Sequence, residues 1–493
     1  MTFGEIVGKV DSFAWGPVML VLLVGTGIFY SIRSGFLQFS KLGYWMKNTL
    51  GKIFKKTEAG EGEVTPFQAM PTALAATVGT GNIVGVTGAI IAGGPGAVFW
   101  MWVSALFGMC TKYAEVVLAV RYRERNAEGD WVGGPMYYIK NGLGKSWVWL
   151  AVIFSLLGGL ASFGIGNMTQ INSIASSITN AIDNLGGAAS SHTFMLFGQS
   201  VAWSNLIVGI VVAVLTGLVL LGGLKRIGSV TEKLVPFMAL VYIIASIIVL
   251  VCNGKFLGQA FGLIFSNAFT VKAAYGGAVG VVLMTTIKKG VGRGVFSNEA
   301  GLGSAPMAHA ATSEKNPVMQ GMYGVFEVFM DTIVICSMTS LVLLSSICRG
   351  GAITEAFEWG GSGGSELIAK AFGSVLGDGL GSLIIAVGIA LFAFSTLLSW
   401  SLYGKRCWEY LFGAVAGKIY QIVFIIVVVI GATLNLQVVW DIADALNGFM
   451  AIPNLIALLA LSGVVIKLTK RHFRGEGDEI VREIAEEAAA RNN

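Results

Sequence analysis

The sequence is poor in charged residues and in the residue types that build disulfides and metal sites. Only 12% of its 493 residues are charged, against 55% hydrophobic, a balance that excludes a set of soluble domains and indicates a polytopic membrane protein. Its five cysteines stand apart without pairing or metal-ligand spacing, so we expect neither a disulfide framework nor a zinc site. Its three histidines are dispersed, and no nucleophile–base arrangement stands out. These gaps argue against an enzyme.

The amino terminus lacks the pattern of a cleaved export signal. Segment 1–15 carries a single lysine, Lys9, between two acidic residues, and it has no small-residue cleavage site, so a signal peptide is not expected. Glycine, by contrast, is abundant at 67 residues, as is typical of membrane helices. The net charge of +5 comes from basic residues in short loops. We read these as topology determinants and do not expect nucleic acid as a partner.

Hydrophobic runs predict about eleven membrane spans, since each approaches the length needed to cross the hydrocarbon core. We place the spans at about 15–35, 66–92, 95–121, 146–181, 201–222, 230–252, 260–288, 319–345, 380–403, 415–434 and 438–467. Nearly all lysines and arginines fall in the loops that follow odd-numbered spans and in the C-terminal tail. By the positive-inside rule we expect the N-terminus outside and the C-terminus in the cytoplasm of a cell membrane.

The second span is interrupted by the run Gly79-Thr80-Gly81-Asn82. Two glycines this close together favour an opened backbone, and at membrane depth an opened backbone is tolerated only where it faces a protein cavity. Free N–H groups at such a break suit a carboxylate, whereas free carbonyls beside Thr77 and Val78 suit a small cation such as Na+. A small-residue face for helix packing is the alternative interpretation.

The seventh span contains a comparable stretch, with Gly276, Gly277 and Gly280 inside it. When the first span is set aside, the two interrupted spans open two five-span halves of opposite topology, which is an inverted repeat built around a central binding site. We therefore predict an all-α membrane fold with a five-plus-five core. Its segments are an extra N-terminal helix with a basic loop (1–64), two repeats (65–257 and 258–468) and a cytoplasmic tail (469–493).

Polar side chains in two other spans are candidates for the same site. Ser395 and Thr396 in the ninth span either bond back to their own helix or complete a sodium cage with carbonyls of the second span. Trp400 either walls a substrate pocket or anchors a helix end at the membrane interface. In the fourth span, Gln170 and Asn167 lie three residues apart and share a face, which favours a position against a cavity.

Charged residues near the predicted site are open to two interpretations. Glu327 and Asp331 lie four residues apart inside the eighth span, where a carboxylate normally faces a cavity or a partner. They either couple protons or hold a cation, or they pair with the cytoplasmic basic segment, which we favour. Residues 290–306 look too polar to span the membrane, so we expect a cytoplasmic loop in which Arg293 and Glu299 pair across a gate.

Four stretches give the chain a specific family resemblance. They are ATVGTGNIVGV at 76–86, GGPGAVFWMW at 93–102, GRGVFSNEAGLGSAPMAHAA at 292–311 and FSTLLSW at 394–400. In these signatures and over nearly its whole length the chain resembles the alanine/glycine:cation symporter family, a branch of the amino acid–polyamine–cation superfamily. The resemblance implies a leucine-transporter-type core of ten helices with one extra helix, and Na+-driven uptake of small neutral amino acids.

The resemblance also implies roles for individual residues. Substrate contacts would fall on Thr80, Gly81 and Asn82 in the second span, on Gln170 in the fourth and, around Gly276, Gly277 and Gly280, in the seventh. Trp400 would be an aromatic lid, and Ser395 and Thr396 would supply hydroxyls to Na+. No organic cofactor is expected, and the oligomeric state stays open.

The sequence leaves alternative functions to consider. One retains the fold but couples transport to protons through Asp331 or Glu327. A channel or a non-transporting amino acid receptor is disfavoured, because the chain has no filter-like loop and no soluble sensory domain.

Overall fold

The computed structural model of the chain describes residues 2–52, 59–196, 198–269, 279–350, 363–434 and 437–492. Within those ranges nine helices are long and apolar enough to cross a membrane, or ten when a bent pair of helices counts as one span. The predicted all-α membrane architecture is therefore confirmed. The seventh predicted span crosses residues 270–278, and Gly276 and Gly277 thus lie outside the described residues. Gly280 is the second residue of a described helix.

The longer helices, numbered in chain order, have these bounds: α1 Phe3–Ala14, α2 Pro17–Arg33, α3 Pro66–Thr77, α4 Val86–Gly93, α5 Ala97–Arg121, α6 Val148–Phe163, α7 Thr169–Asn184, α8 Trp203–Leu220, α9 Gly223–Cys252, α10 Leu257–Ala268, α11 Val279–Asn298, α12 Pro317–Val328, α13 Ser337–Arg349, α14 Gly364–Leu376, α15 Asp378–Phe412, α16 Ala414–Thr433, α17 Gln437–Ala460, α18 Ser462–Phe473 and α19 Gly477–Asn492. Short helices cover Leu37–Ser40, Leu42–Asn48, Pro135–Tyr138 and Pro306–His309. Two small antiparallel hairpins pair β1 Glu124–Arg125 with β2 Trp131–Val132, and β3 Thr193–Leu196 with β4 Gln199–Ala202.

The second span is broken where its sequence predicts. Thr65 starts α3 with a capping box, in which its hydroxyl accepts from the Gln68 backbone N–H and the Gln68 side chain accepts from the Thr65 N–H. The helix ends at Thr77, and Val78 leaves the helical region with ψ 85°. The two halves of the span are bent by 48° relative to each other. The interruption is thus a change of helix direction as well as a loss of backbone hydrogen bonds.

Besides a π-helical turn at Ile139–Leu143, which lies outside the predicted spans, wide π-helical turns lie at three further places in the described chain: Gly81–Gly85 after the break, Gly164–Met168 between α6 and α7, and Phe329–Cys336 between α12 and α13. Such turns leave backbone groups imperfectly paired and are frequent at functional sites. All three lie in spans that contribute predicted site residues.

The polar segment 290–306 contradicts its predicted place in a cytoplasmic loop. Helix α11 continues through it to Asn298, and the residues that follow are buried in the protein, including Glu299 at 3% exposure and Ser304 at 0%. A second backbone interruption falls here, between α11 and the short helix Pro306–His309. The segment tolerates its polar residues because they face protein and are shielded from lipid.

The helices pack so that the two interruptions adjoin. Helix α3 contacts α9 and α15, while α11 contacts both α4 and α5. Helix α7 lies along α15 and closes the other side. The N-terminal helices α1 and α2 pack on the outside of this core, against α17 and α5 respectively. The centre of the molecule is thus built from the second, fourth, seventh, eighth and ninth spans.

Candidate functional site

The break in the second span is held open by side chains. The Gly79 backbone N–H donates to Asn82 Oδ1 at 2.8 Å, and Thr80 Oγ1 donates to Gln170 Oε1 at 3.1 Å. Thr80 is 5% exposed and Asn82 is fully buried. Gly81 lies against Phe296 and Ser297 of α11. The structure therefore brings together Thr80, Gly81, Asn82 and Gln170, as predicted.

Hydroxyls of the ninth span reach the carbonyl end of α3. Thr396 Oγ1 donates to the Ala75 carbonyl at 3.0 Å, and Ser395 Oγ lies 3.3 Å from the same oxygen. Both hydroxyls also lie within 3.0 Å of the Phe392 carbonyl of their own helix. Two hydroxyl oxygens and two carbonyl oxygens thus converge, a donor set of neutral oxygens suited to a small hard cation.

The other two residues predicted to hold Na+ are placed differently. The Thr77 hydroxyl donates to the Leu74 carbonyl at 3.1 Å in its own helix. Val78 donates its backbone N–H to the same Leu74 carbonyl at 2.7 Å, and its ψ of 85° takes its own carbonyl out of the helical series. At these two positions the backbone carbonyl, rather than the threonine hydroxyl, is the group available to a cation.

Asp331 of the eighth span is a second polar centre beside the break. Its carboxylate accepts from Asn82 Nδ2 at 2.6 Å, from Thr332 Oγ1 at 2.7 Å and from Ser297 Oγ at 3.2 Å. The aspartate is fully buried. These contacts correct the interpretation that Asp331 pairs with the cytoplasmic basic segment, because its partners are neutral groups of the second and seventh spans.

Glu299 is the first residue after α11, where the second interruption begins, and its side chain is hydrogen-bonded to the ninth span. Its φ is 54°, and Gly301 and Gly303 beyond it have φ of 93° and 86°, so the backbone turns sharply away from the helix. The Glu299 carboxylate accepts from Trp400 Nε1 at 3.0 Å and from Ser304 Oγ. Trp400 is 1% exposed, which excludes its alternative role as an interfacial anchor.

Arg293 does not pair with Glu299, and the predicted gate between them is wrong. The Arg293 guanidinium lies over the ring of Phe296, 5.3 Å from its centroid. The two residues are six apart on a helix that ends between them, so their side chains leave on different faces. Glu299 instead turns inward to Trp400.

Glu115 of α5 braces the second interruption. Its Oε1 accepts from the backbone N–H groups of Gly301 at 3.1 Å and Gly303 at 3.0 Å. Asn454 of α17 donates to the same oxygen at 2.6 Å and to the Gly301 carbonyl at 2.9 Å. The N–H groups freed by the loss of helix are therefore satisfied by a buried carboxylate.

Glu327 belongs to a separate buried cluster. Its carboxylate contacts His309 Nε2 and lies 4.0 Å from Lys112 Nζ of α5. His309 Nδ1 lies 2.8 Å from Gln320 Nε2. Glu327 therefore lies near a basic group, as predicted, but that group is the buried Lys112 of the third span, together with the buried His309.

The fourth span packs closely against Trp400 at Gly166 and contacts Thr80 through Gln170. A Cβ on Gly166 would lie 2.3 Å from Trp400 Cβ, so only glycine lets the tryptophan pack here. Gln170 donates from Nε2 to the Ile165 carbonyl at 2.9 Å and keeps its oxygen on Thr80. Asn167, expected on the same face, instead donates to the Phe424 carbonyl of α16 at 2.8 Å.

A wide cavity lies away from these contacts. It has a volume of about 640 Å³ and is bounded by the ends of α7, α13, α14 and α15, including Asp183, Arg349, Lys370 and Asp378. Ala386, one of its lining residues, is about two and a half turns of α15 from Ser395. We refer to this cavity as the vestibule.

Sequence reasoning missed Glu115, Ser297 and the interruption after Asn298. A carboxylate inside the third span was a usable signal, because an intramembrane acid needs a partner. Gly301 and Gly303 were a second signal of an interrupted helix, but the polar residues around them led to the prediction of a loop.

Two adjoining helix interruptions, with carbonyl and hydroxyl oxygens at one and a buried carboxylate at the other, define a secondary membrane transporter. The fold is of the leucine-transporter type. The chain matches the crystal structure of MhsT in complex with L-phenylalanine with a TM-score of 0.57 at 14% identity, over 87% of this chain and 100% of that one.

Residues 1–484 match the model of the sodium:alanine symporter family, and the chain belongs to that family. It is 46% identical to the sodium/alanine symporter AgcS of Methanococcus maripaludis, over 95% of this chain and 97% of AgcS. It is 35% identical to the probable sodium/glutamine symporter GlnT of Bacillus subtilis, over 95% of this chain and 91% of GlnT. The protein is accordingly a Na+-coupled amino-acid transporter of the plasma membrane and not an enzyme.

Proposed function

We propose that the protein takes up small neutral amino acids, alanine or glycine, together with Na+ by alternating access. The observation that carries this proposal is the meeting of Ser395 and Thr396 with the Ala75 carbonyl beside the break at Val78–Gly79. Ala75, Val78 and Phe392 would bind Na+ through backbone carbonyls, and Ser395 and Thr396 through hydroxyls. When bound, the ion supplies the charge that favours the carboxylate of the substrate.

The substrate would lie between the two interruptions. Its carboxylate suits the N–H groups that follow the break at Thr80 and Gly81. Its amino group suits the carboxylates that face the same region, Glu299 and Asp331. Trp400 and Gly166 bound the space on the side of the fourth span. These close contacts favour a small side chain, in agreement with the named substrate of AgcS rather than that of GlnT.

The second candidate keeps the fold and substrate but couples uptake to protons. Asp331 favours it, because this buried carboxylate contacts both the second and the seventh spans and its partners are neutral. Glu327 is the less suitable carrier, since Lys112 and His309 already contact it.

The coupling is tested by uptake of labelled alanine into proteoliposomes. We expect accumulation that follows an imposed Na+ gradient and stops when choline replaces Na+. Uptake that is indifferent to choline and follows a pH gradient would reject Na+ coupling in favour of the proton alternative. Competition by glycine and glutamine in the same assay ranks substrates, and glutamine as the stronger competitor would contradict a small pocket.

The sodium ligands are tested by Thr396→Ala, with Ser401→Ala as the matched control. Ser401 lies in the same helix, and its hydroxyl donates only to its own helix at the Leu398 carbonyl. Losing one ligand costs about 1.5 kcal/mol, so Thr396→Ala should raise the Na+ concentration for half-maximal uptake about tenfold. Ser401→Ala should leave it unchanged. Equal sodium dependence in both variants would remove Thr396 from the site.

The orientation and the repeat boundaries are part of the same proposal. Charge distribution supports an N-terminus outside and a C-terminus in the cytoplasm. Repeats over 65–257 and 258–468 put one interrupted helix in each half, and the break after Asn298 now supports the second repeat in place of the glycines near 276.

A further inference from the structure

A basic groove lies between the end of α2 and the second half of α18. We define it by Arg33, Lys467, Lys470 and Arg474, which surround a cavity of about 460 Å³ together with Arg471 and Glu476. All four defining side chains are exposed. Residues 467, 470 and 474 follow a spacing of three and four, so they share one face of the helix. The groove therefore concentrates positive charge on one side.

The charge of the basic groove is largely uncompensated. Arg471 is engaged by three glutamates, at 2.6 Å from Glu476, 2.6 Å from Glu483 and 3.7 Å from Glu479. In the part of the chain that the structure describes, no salt bridge joins a carboxylate to any of the other four cations. The Arg33 guanidinium lies over the ring face of Phe29, 5.8 Å from its centroid. Lys467 lies near enough to Glu483 to help Arg471 lower the pKa of that carboxyl, whereas Arg33, Lys470 and Arg474 have no salt bridge among the described residues. The groove therefore keeps an excess of positive charge for an anion.

Helix α2 and helix α17, which precedes α18, present apolar surface next to these cations. On α17, Ile452, Ile456 and Leu459 are 37%, 37% and 38% exposed, and their spacing continues through Gly463 to Lys467. On α2, Ile28 and Ile32 are 36% and 61% exposed. Helices α2 and α17 contact each other. Exposed apolar side chains of α2 and α17 therefore lie along the chain just before the basic groove.

We propose that the basic groove binds an anionic phospholipid. Its phosphate would lie among Arg33, Lys467, Lys470 and Arg474, and its acyl chains along the apolar faces of α2 and α17. Basic pockets at the ends of membrane helices attract anionic headgroups by about a fivefold gain in affinity for each cation. An inorganic phosphate would use only the basic groove, whereas a lipid also uses the apolar faces. This proposal is independent of the transported substrate.

The proposal is tested with purified protein in detergent, titrated with phosphatidylglycerol or phosphatidylcholine and analysed by native mass spectrometry. The variant Lys467→Gln/Lys470→Gln is compared with Lys225→Gln/Arg226→Gln, which removes the same charge from exposed residues at the start of α9. We expect phosphatidylglycerol affinity to fall about tenfold or more in the first variant and less than twofold in the second. Phosphatidylcholine should bind weakly throughout.

Two results would overturn the proposal. One is an equal loss of lipid affinity in both charge-removal variants, which would mean that net charge alone attracts the lipid. The other is displacement of phosphatidylglycerol by inorganic phosphate at the same concentration, which would mean that the apolar faces of α2 and α17 contribute nothing. Elution of each variant as a single species in size-exclusion chromatography confirms that the substitutions leave the fold intact, as expected for exposed side chains.

Discussion

The geometry of the site depends on single residues, through close packing of side chains as much as through hydrogen bonds. Gly166 lets Trp400 pack against the fourth span, and Trp400 in turn donates to Glu299 across the second interruption. Asn82 connects the Gly79 N–H with the Asp331 carboxylate. Each of these residues contacts two spans. A substitution at one of them would therefore shift one helix relative to another in addition to removing a contact.

Gly166→Ala is expected to displace Trp400 and to reduce alanine uptake at least tenfold. The added Cβ would lie 2.3 Å from Trp400 Cβ and 2.4 Å from Trp400 Cγ, too close for either atom to remain in place. Gly85→Ala is the matched control, because this glycine ends a π-helical turn with nothing within 4 Å of an added Cβ. Uptake measured in proteoliposomes checks both. Full activity of Gly166→Ala would show that Trp400 does not bound the substrate.

Removing one polar group at the break should also weaken transport. Asn82→Ala leaves the Gly79 N–H and the Asp331 carboxylate each without one partner, at about 1–3 kcal/mol for each buried group. We expect Na+-dependent uptake to fall at least tenfold while the protein still inserts into the membrane. Insertion is checked by the amount of variant recovered in the membrane fraction. Wild-type uptake in this variant would remove Asn82 from the site.

Helix interruptions are the elements on which the site depends, and each has its own support. The first is stabilised locally, by the Asn82 side chain on the Gly79 N–H. The second is stabilised from a distance, by Glu115 of α5 and Asn454 of α17. A locally stabilised break can be read from neighbouring residues, whereas a break held by other helices cannot.

Replacing Glu115 tests the support of the second interruption. Glu115→Ala removes the acceptor of three hydrogen bonds and should destabilise the protein by about 3 kcal/mol or more. Glu115→Gln keeps an amide oxygen in the same place and should cost much less. The check is the thermal unfolding midpoint of each purified variant in the same detergent. If Glu115→Ala and Glu115→Gln have the same unfolding midpoint, the charge of Glu115 rather than the position of its acceptor oxygen stabilises the protein. The hydrogen-bond support of the second interruption would then be wrongly assigned.

On the scale of the whole molecule, the proposed orientation in the membrane rests on the distribution of charge. The loops after the odd-numbered spans carry most of the lysines and arginines, and these resist transfer across the bilayer. In the proposed orientation the vestibule beside Arg349 and Lys370 would face the outside, and the basic groove would lie on the cytoplasmic side, where anionic headgroups attract cations.

Cysteine labelling tests this orientation. In a background with Cys252→Ser and Cys348→Ser, which removes the two cysteines that are not buried, Lys370→Cys should react with a membrane-impermeant maleimide in intact cells. Lys225→Cys should react only after permeabilisation, because it follows the fifth span on the cytoplasmic side. Both side chains are exposed. The reverse pattern would invert the proposed topology and the direction of the vestibule.

The sequence alone determined the membrane class, the all-α architecture and the break at Gly79–Asn82, and it singled out Gln170, Ser395, Thr396 and Trp400 as candidate site residues. These follow from hydropathy, from local glycine content and from family signatures, all of which act over short stretches of chain. Only the tertiary structure decided where the seventh span opens and which partners Glu299, Glu327 and Asp331 take. The physical reason is that a polar segment survives at membrane depth when other helices satisfy it. Glu115 and Trp400 do so here from positions far away in the chain.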